Sequence, residues 1–107
     1  MSSSLIVFCN APDRDCAEKI ANRLMECRLA ACVNILAPCQ SVYRWQGRVE
    51  HEQEVPLLIK TTRDAYAGLE AEIRALHPYE LPEVLALPID QGLPAYLAWL
   101  ESEVGNR

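Results

Sequence analysis

The first third of the chain has a continuous apolar run followed by apolar residues at helical spacing, and this pattern predicts a strand followed by a helix. Leu5 to Cys9 is a continuous apolar run, as expected for a strand buried on both faces at the middle of a sheet. From about Arg14 to Arg28, apolar residues recur at helical spacing with charged residues between them, which predicts a helix. Asp13 directly precedes this segment and is a suitable N-cap.

The stretch from Leu29 to Gly47 is rich in residues that favour a pleated surface and is too long for an ordinary strand. Pro38 lies in its middle and has no N–H to donate, so we expect a bulge or a sheet edge there. From Ser41 onward, strand alternation places Tyr43 and Trp45 on one face. Because the chain is small, this aromatic face is expected to be covered by another chain, and it indicates an oligomer.

A β-hairpin is predicted next, because residues 46–48 (QGR) are typical of a tight turn and Arg48 to Thr61 returns as a strand. The middle of the returning strand, residues 49–55, is polar and is expected to project from the domain. Its glutamates at positions 50, 52 and 54 fall on one side by alternation. We expect them to be solvated, since charged side chains protect exposed sheet edges.

The last third of the chain repeats the order of helix and strand. Thr61 and Asp64 have the spacing of a capping box, and the helical pattern that follows must end at His77, before Pro78. Residues 83–89 predict a fourth strand, and Pro94 suits the first turn of a closing helix. The order β-α-β-β-α-β plus a helix predicts an α+β, ferredoxin-like split βαβ sandwich, with one domain over residues 1–107.

Composition and charge narrow the classes of protein that fit. At 107 residues, 50% hydrophobic and 23% charged, the chain has the composition of a single globular domain. A net charge of -5 argues against a nucleic-acid binder, which needs clustered positive charge. The N-terminus lacks the basic region of a signal peptide, and no apolar run is long enough to span a bilayer. Five cysteines without a CxxC pair favour reduced thiols in the cytoplasm.

Three runs of sequence, taken together and in order, resemble the CutA family of divalent-cation tolerance proteins. They are LAACVN at 29–34, SVYRWQG at 41–47 and HPYELPE at 77–83, with Glu54 and Lys60-Thr61 between them and Tyr96 and Trp99 after them. The resemblance extends from about residue 6 to residue 99. It implies a ferredoxin-like homotrimer acting in tolerance to divalent metals, copper especially, with an architecture similar to that of PII-type signalling trimers.

The resemblance also suggests metal ligands, each of which has a structural alternative. Cys9 occupies a candidate copper-ligand position of the family, but it also suits a small apolar core residue. His77 is a potential copper or zinc ligand, or a residue that stabilises the end of its helix. Glu54 matches a family position and is the third candidate. Copper or another divalent cation is the expected ligand, and none is expected to be required for folding.

A small-molecule site is the alternative function, in a PII-like signalling trimer that binds a metabolite between subunits. Its expected lining could recognise an anion through the lysine, or these residues could simply hold the trimer together. They are Tyr43, Trp45, Lys60, Tyr79, Glu80 and Glu83. The chain has no Gly-rich phosphate loop, no GxSxG and no HExxH, so we do not expect an enzyme.

Overall fold

The hydrophobic pattern folds into a five-stranded sheet with three helices. The computed structural model describes residues 3–105, so the predicted domain limits at residues 1 and 107 lie outside the described residues. The elements are β1 (Ser4–Ala11), α1 (Arg14–Glu26), β2 (Cys32–Ile35), β3 (Cys39–Trp45), β4 (Arg48–Thr62), α2 (Arg63–Leu76), β5 (Val84–Pro88) and α3 (Pro94–Glu103). All strand pairs are antiparallel, and the predicted ferredoxin-like fold class is confirmed.

The sheet has the strand order β2-β4-β1-β5, with β3 also paired to β4. The central position predicted for β1 is therefore confirmed, but its burial on both faces is wrong. Val7, Cys9 and Ala11 are buried against α1 and α2, whereas Phe8 is 37% exposed. The reason is that α1 and α2 pack on one face of the sheet, so alternate residues of β1 face away from them.

The face turned away from α1 and α2 carries a patch of apolar side chains that is largely uncovered in the single chain. Phe8 is paired with Leu58 on one side and Leu85 on the other, and Ile6 is paired with Leu87. Leu85 is 58% exposed and Leu87 is 53% exposed. We call these five residues the open face.

Local rules account for most of the helix boundaries. The Asp13 side chain accepts a hydrogen bond of 2.8 Å from the Cys16 N–H, so the predicted N-cap of α1 is confirmed. This helix ends two residues before the predicted Arg28, which adopts a left-handed backbone with φ of 55°. No helix within residues 3–105 is both long enough and apolar enough to cross a membrane.

The predicted capping box at the start of α2 is wrong. Thr61 belongs to β4 and is fully buried, and its hydroxyl donates a 2.7 Å hydrogen bond to the Leu29 carbonyl. Thr62 is the N-cap residue, and its side chain makes no capping bond. The Thr61 hydroxyl is used by the carbonyl of the partly buried Leu29, so a distant backbone group overrides the local pattern. The predicted end of α2 is confirmed, with His77 as the C-cap.

The long second strand is divided by one extra residue, as expected near Pro38. Ile35 is paired with Leu57, and Cys39 is paired with Glu54, so four steps along one strand match three along the other. Such an insertion is a bulge-type irregularity, and it reverses the faces of the residues that follow it. As a result, odd-numbered residues point toward the helices in β2 but toward the opposite side in β3.

The β3–β4 hairpin extends beyond the helical layer. Its turn has positive φ at both central residues, Gln46 (51°) and Gly47 (80°), the backbone of a type I′ hairpin turn. The hairpin is mostly exposed, as predicted, and the molecule is elongated at 44 × 26 × 23 Å. The expectation of solvated glutamates is wrong for Glu54, which is only 6% exposed.

Candidate functional site

A cleft of about 660 Å³ lies between the β3–β4 hairpin and the loop that follows α2. We call it the hairpin cleft. Its lining consists of Asn10, Ser41, Val42, Tyr43, Arg44, Trp45, Glu52, Glu54, Tyr79, Glu80, Leu81 and Glu83. The structure therefore brings together six of the nine predicted site residues.

The bulge between β2 and β3 determines which residues of the hairpin share a face. Tyr43 is paired with Glu50, and Ser41 is paired with Glu52, so Tyr43 shares a face of the hairpin with both glutamates. Without the extra residue, Tyr43 would lie on the same side as Val33 and Ile35, which pack against the core. The bulge thus places the aromatic residues beside the carboxylates.

The His77 ring links the loop after α2 to the end of β1 through two hydrogen bonds. Its Nε2 lies 2.6 Å from the Asn10 carbonyl oxygen, and its Nδ1 accepts a hydrogen bond of 3.2 Å from the Tyr79 N–H. This arrangement requires the neutral tautomer in which Nε2 carries the proton. The ring is 7% exposed and contacts the Tyr79 ring at a centroid distance of 4.6 Å. A metal on either nitrogen would have to replace one of these hydrogen bonds.

Glu54 places a negative charge close to both tyrosines of the cleft. Burial raises the pKa of Tyr79 well above its ordinary value, and the charge of Glu54 and a hydrogen bond to it raise the pKa further. Burial and the charges of Glu52, Glu54 and Glu50 also raise the pKa of Tyr43. At the other wall, the Asn10 side-chain amide donates a 3.3 Å hydrogen bond to Glu83. The carboxylates are thus held in place by neighbouring polar groups.

Cys9 lies behind the cleft, not in its lining. The side chain is 1% exposed, and burial, followed by the charges of Cys16, Glu83 and Glu54, raises its pKa to about 12. The thiol is therefore protonated near neutral pH, and a metal would have to displace the proton. Within residues 3–105, no three His, Cys, Asp or Glu side chains converge in a way that could hold a metal ion.

Lys60 is separated from the other predicted pocket residues. It is paired with Cys32 on β4, and its amine donates to the Asn34 side-chain oxygen. It lies six residues from Glu54 along the strand, a distance of about 20 Å. Among the described residues that line the cleft there is no lysine, and Arg44 is the cationic side chain.

Sequence reasoning did not identify Asn10 as a site residue. Its position directly after the buried run of β1 carries little information, since many strands end in a polar residue. Its role depends on two partners that are distant in sequence, His77 and Glu83. Glu52 was placed beside Glu54 by alternation, but no pattern indicated that these two residues face Tyr79.

Comparisons with known proteins agree on one family. Residues 5–103 match the family model described as CutA1 divalent ion tolerance protein. Divalent-cation tolerance protein CutA of Thermus thermophilus is 48% identical over 100 residues, which cover 94% of this chain and 97% of the relative.

Solved structures give the same result. The divalent cation tolerance protein from Thermus thermophilus has a TM-score of 0.93 and 47% identity, covering 95% of this chain and 99% of the other. A protein from Archaeoglobus fulgidus, described as a periplasmic divalent cation tolerance protein, has a TM-score of 0.91 and 37% identity with the same coverage. The chain therefore belongs to the CutA1 family of divalent ion tolerance proteins.

Proposed function

We propose that the protein is a homotrimeric divalent-cation tolerance protein of the cytoplasm that binds copper and other divalent cations weakly in the hairpin cleft. One observation carries this proposal: four carboxylates, those of Glu52, Glu54, Glu80 and Glu83, line a single cleft of ligand-binding size. Carboxylate oxygens bind divalent cations, and among first-row divalent ions copper binds most tightly to a given oxygen or nitrogen site.

The geometry favours Glu54 over the other two predicted metal ligands. Glu54 is buried in the lining, and its charge reaches both tyrosines of the cleft. His77 uses both ring nitrogens within the chain, and Cys9 holds its proton strongly. Because no complete set of ligands converges in residues 3–105, water or a second subunit supplies the remaining ligands, and the binding is weak.

The open face supports the proposed trimer. Phe8, Leu85 and Leu87 together form an apolar patch on the sheet, and such patches mark contact surfaces in soluble proteins. The projecting β3–β4 hairpin offers a second contact surface, with Tyr43 39% exposed. All five cysteines are free thiols, which supports a reducing cytoplasmic location.

Calorimetric titration with Cu²⁺ tests the cation site. Glu54→Gln keeps the shape of the side chain and an acceptor for the Tyr79 hydroxyl but removes the charge. We expect it to weaken Cu²⁺ binding by about tenfold or more, as losses of metal-site groups do. Glu50→Gln removes a charge of the same strand face outside the cleft lining and should bind as the wild type does. If Cys9→Ser abolishes binding while Glu54→Gln does not, the cleft is not the copper site.

The aromatic walls of the cleft favour a small organic cation as a second candidate ligand. Tyr43, Trp45 and Tyr79 line it, and aromatic faces attract cations as carboxylates do. Lys60, which the sequence suggested as the group that recognises an anion, lies elsewhere on the sheet. Four glutamates line the cleft against one cation, Arg44, so an anionic ligand is disfavoured there. A thermal-shift screen of organic amines without metal tests this role in a signalling trimer. Stabilisation that Trp45→Ala removes and Lys60→Ala leaves intact would support it; the absence of any stabilising amine would count against it.

A further inference from the structure

Another cavity, of about 430 Å³, lies where α1 and α3 end and α2 begins. We call it the terminal cavity, and its charged lining residues are Arg28, Asp64 and Glu101. Ser3, which precedes β1, also lines it, whereas Asn10 near the other end of β1 lines the hairpin cleft. Seven residues of extended chain separate these two positions by about 20 Å. The terminal cavity is therefore a separate place in the molecule, with its own set of side chains.

Arg28 is held in one wall of the terminal cavity by three hydrogen bonds. Its backbone N–H donates to the Met25 carbonyl at 3.1 Å, and its own carbonyl accepts a 2.8 Å hydrogen bond from the Gly105 N–H. Its side-chain Nε donates a 2.7 Å hydrogen bond to the Gly105 carbonyl. The other two guanidinium nitrogens, Nη1 and Nη2, have no partner in the described part of the chain. Two such nitrogens form the planar fork with which arginine binds a carboxylate.

Two carboxylates line the same cavity. Glu101 of α3 accepts a hydrogen bond of 2.8 Å from the Ser3 hydroxyl and one of 3.4 Å from the Ser4 hydroxyl, and these bonds hold its side chain in place. Asp64 lies in the first turn of α2. Within residues 3–105, Arg28 forms no ion pair with either of them. The cavity thus presents one positive and two negative groups, with a net charge of -1.

The charges and the apolar lining indicate the class of ligand. A simple anion would be repelled by two carboxylates, and a metal cation would be repelled by the Arg28 guanidinium group, so neither complements the whole lining. A molecule with one carboxylate and two cationic groups complements it group for group. Leu29, Ala65 and Val104 add apolar lining that the methylene chain of such a molecule can contact. The basic amino acids have this composition, and the cavity is of ligand-binding size.

We propose that the terminal cavity binds a basic amino acid such as arginine. The α-carboxylate of the ligand accepts hydrogen bonds from Nη1 and Nη2 of Arg28. Its two cationic groups, the α-ammonium and the side-chain guanidinium, lie beside the carboxylates of Asp64 and Glu101. The site goes beyond the cation binding proposed for the hairpin cleft, and it gives the protein an organic ligand that requires no metal.

Calorimetric titration with L-arginine, in buffer without metal, tests the proposal. The wild type should bind arginine saturably, and Arg28→Gln should weaken this binding by about tenfold or more, because it removes charge-assisted hydrogen bonds. Agmatine, which is arginine without the carboxylate, should bind Arg28→Gln no more weakly than it binds the wild type. Arg23→Gln is the matched control, since it removes the same charge from the last turn of α1 outside the cavity lining, and it should bind arginine as the wild type does.

Glu101→Gln tests the opposite wall of the cavity. It keeps an acceptor for the Ser3 hydroxyl but removes the charge, so it should also weaken arginine binding by about tenfold. Glu103→Gln is its control, because Glu103 is exposed on the same helix and outside the lining.

Several outcomes would overturn the proposal. These are no saturable binding of arginine by the wild type, unchanged binding by a folded Arg28→Gln, or an equal loss in Arg23→Gln. Circular dichroism checks the folding of each variant, and if Arg28→Gln does not fold, unchanged binding by Glu101→Gln overturns the proposal instead. Glu54→Gln should bind arginine as the wild type does, so failure of the cleft site and failure of this site are distinguishable.

Discussion

Replacing His77 by Phe tests whether the hydrogen bonds of this residue hold the loop after α2 against the end of β1. Phenylalanine fills a similar ring volume, so little cavity forms, but it can make neither hydrogen bond. The Asn10 carbonyl and the Tyr79 N–H then lose their partner. An unsatisfied buried group costs about 1–3 kcal/mol, and both residues are only half-buried, so water replaces part of the loss. We therefore expect the free energy of unfolding to fall by about 2–3 kcal/mol.

The assay is urea unfolding at pH 7 and fixed protein concentration, followed by circular dichroism. His51→Phe is the matched control, because His51 is the other histidine of the chain and is exposed on β4. Its stability should stay within about 0.5 kcal/mol of the wild type, as for most surface substitutions.

Two results would refute the reasoning about His77. One is a stability of His77→Phe within about 0.5 kcal/mol of the wild type, and the other is an equal loss in His51→Phe. Copper titration of His77→Phe distinguishes a residue that holds the loop in place from one that binds copper directly. If His77 were a direct copper ligand, binding would be lost even under conditions where the variant is fully folded.

Three further substitutions test the cap, the core thiol and the open face. Asp13→Ala removes the cap of α1 and should cost about 0.5–2 kcal/mol in urea unfolding; a cost near zero would contradict the capping role. Burial raises the pKa of Cys9 to about 12 in the folded state, against an ordinary 9.0. The contribution of this thiol to the free energy of unfolding is therefore constant below pH 9 and falls by about 4 kcal/mol as the pH rises to 12. Cys9→Ala should flatten this alkaline loss, and an unchanged slope would exclude the thiol as its cause. In the trimer proposed above, Leu87→Asp should lower the mass measured by light scattering to that of a single chain. Leu93 is equally apolar and 71% exposed before α3, and Leu93→Asp should leave the mass unchanged. An unchanged mass in both variants would count against the open face as the interface.

Much of the candidate site could be anticipated from strand alternation. Alternation placed Tyr43 with Trp45, and Glu52 with Glu54, and the pairing of β3 with β4 confirms both assignments. It did not reveal that these two sets face Tyr79, because that contact depends on the loop after α2. The sequence also could not show whether Lys60 lies in the same pocket as the tyrosines and glutamates. Residues on one face of a long strand can be far apart, and Lys60 bonds to Asn34 on β2 instead.

The sequence by itself determined the features that depend on neighbouring residues. The N-cap at Asp13, the turn at Gly47 and the end of α2 at His77 each follow from short-range backbone geometry and hydrogen bonding. The family follows as well, because ordered runs of residues identify it. These features require no knowledge of what lies across the sheet.

Only the tertiary structure decided which polar groups are buried and what they bind. The extra residue before Cys39 sets the face of the whole hairpin, and its effect exists only relative to the register of β4. Glu54 is buried against Tyr79, and His77 bonds to Asn10, 67 residues earlier in the chain. Such partners are chosen by the requirement that buried polar groups be satisfied, a condition imposed by the packed fold as a whole.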